Sequence, residues 1–134
     1  LDGDAPQALL AGGSQMLAVA GLFMASLTQV ERATCNDQLA VVTTAWVMQE
    51  SGSDLELLAQ RSAAVWGVHP RLLHSDLRFD GCRQQALLDY ERGFVKEGVG
   101  AGGLAWLCQL AGSSTQALAK SCDQACGQLR SVGP

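Results

Sequence analysis

Charge is what this sequence has least of. Only 16% of its 134 residues are Asp, Glu, Lys or Arg, where about a quarter is usual for a soluble domain. Nine Lys and Arg stand against thirteen Asp and Glu, for a net charge of −4. No two basic residues are adjacent, so the clustered cations that grip a phosphate backbone are missing and nucleic acid is excluded as a partner. Histidine is scarce as well: His69 and His74 are the only two. The Cys-x2-Cys spacing of structural zinc and of redox motifs is absent. The glycine run at residues 98–103 is followed by no Gly-Lys-Ser/Thr and preceded by no strand signal, so it is no phosphate loop. It reads as a flexible connection or a close helix crossing.

What is present is apolar. Hydrophobic residues make up 48% of the chain, enough for one globular domain spanning residues 1–134. Residues 5–30 carry no charge, long enough to raise the question of a membrane span. Gly12, Gly13, Ser14, Gln15, Gly21 and Ser26 dilute that stretch, and no basic anchor flanks it. It reads instead as a central helix surrounded by others, with Ala11, Ala18 and Ala25 as small contact points. The chain opens at Leu1 without Met, as a mature chain would after removal of a leader, and as a trimmed boundary would too.

Punctuation divides the chain into about six helices. Asp4 caps the first, which runs through residue 33 with Pro6 in its first turn. Asn36 caps the second, where Leu39, Val42 and Trp46 share a face and Val41, Ala45 and Met48 lie beside it. The third begins at a capping box, Ser53-Asp54-Leu55-Glu56, and stops at Gly67. Pro70 breaks the pattern and leaves residues 68–80 irregular, with room for a short turn at 71–74. Asp80 starts a fourth helix, residues 104–110 form a fifth, and Ser113, Ser114 or Thr115 caps a sixth running through about residue 129. Val41-Val42-Thr43-Thr44 has strand propensity but falls within a helical period. The expected fold is all-α, an irregular bundle of about six helices.

The five cysteines, Cys35, Cys82, Cys108, Cys122 and Cys126, are unusual in a chain long enough to fold without cross-links. They point to an oxidising compartment. In a bundle of alternating helices, Cys35 and Cys82 fall at the same end, which makes Cys35–Cys82 the favoured disulfide. The odd number leaves at least one thiol without an intrachain partner. Cys122 and Cys126 share a helix face, and His69 with His74 could complete four zinc ligands, but the two pairs have no evident meeting point. No metal and no cofactor is expected.

No cysteine or serine carries a catalytic signature with a histidine, so an enzyme is not expected. Polarity gathers instead in residues 69–80. His69, Arg71, His74, Asp76, Arg78 and Asp80, with Phe79 among them, have the mixed charge of a protein-recognition loop on a rigid scaffold.

A small helical chain with the spaced cysteines 35, 82, 108, 122 and 126, and a polar loop at 69–80, resembles the periplasmic immunity proteins paired with type VI secretion peptidoglycan amidases. The resemblance implies an exported inhibitor, periplasmic or secreted, that docks on an amidase and plugs its active-site groove. It also implies a homodimer. The competing expectation is an exported helical chaperone or secretion accessory protein that binds apolar segments.

Overall fold

Two apolar runs that fit a helical period are strands. In the computed structural model, which describes residues 7–35, 37–50, 52, 54–67, 70–93 and 99–131, Ala8–Ala11 forms β1, Leu39–Thr44 forms β2 and Arg71–Ser75 forms β3. They build a parallel sheet in the order β1-β2-β3, with Ala8 beside Leu39 and Thr44 beside Ser75. Helices α1 (Ser14–Ser26) and α2 (Gln29–Cys35) connect β1 to β2. Helices α3 (Ala45–Met48) and α4 (Leu55–Trp66) connect β2 to β3. Helices α5 (Gln85–Glu91), α6 (Ala101–Leu110) and α7 (Thr115–Ser131) follow. The expected all-α bundle is thereby corrected to a mixed α/β fold.

The cause is burial on both faces of the sheet. All six residues of β2 are buried, so the strand shows no polar alternation, and periodicity alone does not separate it from a buried helix. Its β-branched residues Val41, Val42, Thr43 and Thr44 suit a pleated surface. Full burial of each valine is worth about 1.5–3 kcal/mol. Segment 71–75, expected to be irregular, is a strand whose Leu72 packs into the core.

Leu39 and Val41 face α1 and α4, where they meet Leu17, Ala20, Met24, Leu55 and Ala59 in the main core. Helix α6 covers the opposite face. A Cβ on Gly102 would overlap the carbonyl carbon and oxygen of Thr43, and one on Gly103 would lie 2.6 Å from Ala11 Cβ. Each glycine inside a helix costs about 1 kcal/mol relative to alanine, offset here by the close approach of helix to strand backbone. The glycine run thus contributes to a helix–sheet crossing.

Capping differs in detail. The expected first helix through residue 33 gives way to β1, α1 and α2. The break before α2 is a capping box, in which the Thr28 N–H and Oγ1 both donate to Glu31 Oε2, at 2.8 and 2.7 Å. Helix α4 starts one residue later than expected, capped by Asp54, whose Oδ1 accepts from the Leu57 N–H at 2.8 Å; the expected cap, Ser53, lies outside the described residues. Gly67 ends it at a φ of 73°. Helix α1 is not surrounded: Ala18, Val19, Leu22 and Phe23 are exposed. No helix among the described residues is long and apolar enough to cross a membrane.

The disulfide is corrected too. All five cysteines are free. Cys35 packs against the main core and Cys82 against a second cluster around Leu77, Phe79 and Ala105. The pairing of Cys35 with Cys82 assumed that each successive helix reverses the chain, whereas three parallel strands return it in one direction.

Candidate functional site

Parallel strands bring their carboxyl ends to one edge of the sheet, where open α/β sheets receive ligands. Here that edge carries Gly12, Thr44 and Ser75. From it Gly12-Gly13 turns into α1, Thr44 leads directly into α3, and Ser75 opens the loop to α5. Helix α6 begins at the same edge, since a Cβ on its N-cap residue Gly100 would sit 3.4 Å from Ala11 O. Neither α1 nor α6 has a side-chain N-cap hydrogen bond or an acidic residue in its first turn, so neither helix offers its own positive dipole end an anion.

Two adjoining chambers open at this edge. The inner one, about 180 Å³, is walled by Trp46, Leu77, Phe79, Leu87 and Tyr90, with Ala101 and Gly102 of the first turn of α6 beside Thr44 and Ser75. The outer one, about 350 Å³, shares Thr44, Trp46 and Tyr90 with it and adds the charged Glu50, Arg78, Glu91 and Arg92. Val47 and Val99, which line the outer chamber, approach Gly13 at the start of α1.

The aromatic wall is held by one carboxylate. Trp46 stacks on Phe79 with centroids 5.1 Å apart and planes 27° from parallel, and Tyr90 closes the group at 5.3 Å from Trp46. Glu91 accepts from Trp46 Nε1 at 2.9 Å and from the Phe79 N–H, and pairs with Arg78 at 3.6 Å. The Arg78 guanidinium also donates to Gln49 Oε1 and lies 5.5 Å from the Trp46 ring centre. Helix α6 pins the β3 end: Gln109 Oε1 accepts from Ser75 Oγ at 2.7 Å, and Ser75 Oγ accepts from the Leu77 N–H at 3.1 Å. Thr43 Oγ1, at the end of β2, is buried without a hydrogen-bond partner among the described residues.

The six polar residues of the expected recognition loop are spread out. His69 lies outside the described residues. Arg71 and His74 are in β3, where an odd spacing puts them on opposite faces. His74 Nδ1 is 3.4 Å from Asp76 Oδ1. Asp76 is exposed, and Arg78 lines both the outer chamber and a second, polar depression that it shares with Asp80, Arg83, Lys120 and Asp123. Asp123 Oδ1 accepts the N–H groups of Arg83 and Gln84 at 2.8 and 2.9 Å, which ties the start of α5 to α7. Beside it, burial and then the negative charge of Asp123 push the Cys82 thiol up, and burial pushes Cys122 up. No group of three or more His, Cys, Asp or Glu suited to a metal occurs among the described residues.

Trp46, expected on a helical face with Leu39 and Val42, instead lines both chambers with Tyr90, and Glu91 joins the outer one. The signal that marks the site in the sequence is the β-branched Val41–Thr44 run, a strand signature that ends two residues before Trp46.

No family model matches the chain. It is similar to a UPF0284 protein of Parasynechococcus marenigrum, 48% identical over 126 residues that make up 90% of this chain and 32% of that protein. The UPF0284 protein of Gloeobacter violaceus is 46% identical over 115 residues, 86% of this chain and 29% of that protein. One from the archaeon Pyrococcus abyssi is 33% identical over 116 residues, 87% and 31% of the two chains. The chain spans about a third of the length of these curated relatives.

Proposed function

We propose that this chain is the ligand-binding part of an α/β protein that takes a small molecule with a flat, apolar, ring-sized portion and an anionic group. The observation that carries this reading is the inner chamber, walled by Trp46, Phe79 and Tyr90 and floored by the first turn of α6. Mostly apolar pockets with a few placed polar groups are the usual small-molecule sites. The aromatic walls favour a flat ring in offset or edge contact. An anion on that ring would meet the uncapped helix N-termini of α6 and α1, and Arg78 is close enough to be recruited from Glu91.

Phenyl phosphate is a suitable probe. Calorimetric titration is expected to show binding that Trp46→Ala weakens at least tenfold, with inorganic phosphate binding more weakly than phenyl phosphate. Binding of equal strength by the native chain and the Trp46→Ala variant would remove the aromatic chamber from the reading.

A second reading keeps the protein-docking function expected of an immunity-type inhibitor in the periplasm. It draws on the exposed carboxylates Asp76 and Asp80 beside the β3 end. Its test is the affinity for a peptidoglycan amidase, which Asp76→Ala with Asp80→Ala should lower; an unchanged affinity would end it.

A further inference from the structure

Among the described residues one edge of the sheet is open and unguarded. Among the described residues β1 pairs with β2 alone. The Ala8 N–H donates to Gln38 O and the Gly12 N–H to Val42 O, both at 2.9 Å. Strand alternation therefore turns the Leu10 N–H towards β2 and the Leu9 N–H towards the outer edge. Exposed edges are normally blunted by Lys, Pro or a bulge, and Ala8-Leu9-Leu10-Ala11 has no such residue.

Helix α1, over the same edge, has the same character. Helix α4 covers one flank of it, with Trp66 against Gly21. Val19 and Phe23 point away from that flank at 43% and 44% exposure, and Leu22 is 75% exposed. No residue of Ser14–Ser26 is charged. A half-exposed helix without charge presents an apolar face that calls for cover.

The topology indicates what covers it. Right-handed crossovers place α1 and α4 on one face of a sheet that grows from β1 to β3, and α6 then returns on the opposite face and touches β1 through Gly103 and Ala11. This arrangement matches one half of a doubly wound sheet, a fold in which the next strand is laid beside the first. About two thirds of each similar UPF0284 protein lies outside the match, ample chain to supply it. We propose that the outer edge of β1, with the Val19–Leu22–Phe23 face of α1, is the docking surface for a parallel strand and its helix from the polypeptide outside the matched third of proteins of this kind. A two-fold copy of this chain would instead pair β1 with itself antiparallel.

Amide hydrogen exchange tests this in two proteins as they exist. In the intact Parasynechococcus marenigrum relative, the amides aligned with Leu9 and Leu10 should both be slow. In this chain alone the Leu9 amide should exchange about a hundredfold faster than in the relative, at every protein concentration. Fast exchange at the Leu9-aligned amide beside slow exchange at the Leu10-aligned one, in the intact relative, would overturn the proposal. Protection of Leu9 in this chain that rises with its own concentration would overturn it too, in favour of a second copy. As a second readout, Phe23→Lys should leave the melting temperature of this chain nearly unchanged, while the aligned substitution should lower that of the relative; equal effects on both would count against the docking surface.

Discussion

Gly102 and Gly21 are both glycines in helices, and they differ in what a methyl group would strike. At Gly102 the obstacle is the backbone of Thr43, which is fixed in the centre of the sheet. At Gly21 it is the far end of the half-buried Trp66 side chain, 2.7 Å away, rather than backbone. Overpacking against an immovable neighbour costs about 1–3 kcal/mol or more. Gly102→Ala should therefore lower stability by at least that much, and Gly21→Ala by clearly less, as measured by denaturant unfolding. A second residue-scale expectation concerns Glu91. Its removal orphans the Trp46 indole N–H and the Phe79 N–H together, so Glu91→Ala should cost about 2–6 kcal/mol, at about 1–3 kcal/mol per unsatisfied donor. It should also change the Trp46 fluorescence. The cysteines supply a third. Thiol titration under denaturing, non-reducing conditions should count five free thiols. In the folded chain Cys82 and Cys122 should alkylate more slowly than a model thiol at pH 8, because their raised thiol pKa leaves less thiolate. With the thiols free, the number of cysteines no longer speaks for an oxidising compartment.

At the scale of elements, legibility followed local chemistry. Helix α4 was readable because Ser53-Asp54 and Gly67 mark its ends, although Asp54 rather than Ser53 is the cap, and α7 because a Ser-Ser-Thr cluster precedes an amphipathic run. Strand β2 was not, because burial on both sides removed the alternation that identifies a strand, and Leu39 and Val42 fall at helical spacing with Trp46. Strand β3 was hidden by its polar ends, Arg71 and Ser75, which made a half-buried strand look like a loop. The start of α2 was legible in principle: Thr28-Gln29-Val30-Glu31 is a capping box that went unused inside a long apolar stretch. Its hydrogen bonds from the Thr28 N–H and hydroxyl hold the Glu31 carboxyl below its ordinary value. A carboxylate with a depressed folded-state pKa stabilises above its unfolded value and loses that contribution as pH falls through the folded one. Circular dichroism of the native chain and of Glu31→Gln should thus differ at neutral pH and converge as the solution is acidified below the ordinary carboxylate range; a difference that persists there would refute this role for Glu31.

At the scale of the whole molecule, the site was the least legible part, since it exists only once three strands run parallel. Trp46, Phe79, Tyr90 and Glu91 come from three separate segments and meet because β2 and β3 end side by side. The same parallel arrangement leaves the β1 edge open and places the uncapped starts of α1 and α6 beside the chambers. The proposed ligand site and the proposed sheet continuation thus rest on one topology. The measurement that bears most directly on it is two-dimensional NMR of the labelled chain titrated with phenyl phosphate. The expected result is that shifts concentrate at Thr44, the Trp46 indole, Ala101 and Gly102. Shifts that fall instead around Asp80, Lys120 and Asp123, or along the outer face of α1, would contradict a ligand site at the carboxyl ends of the strands.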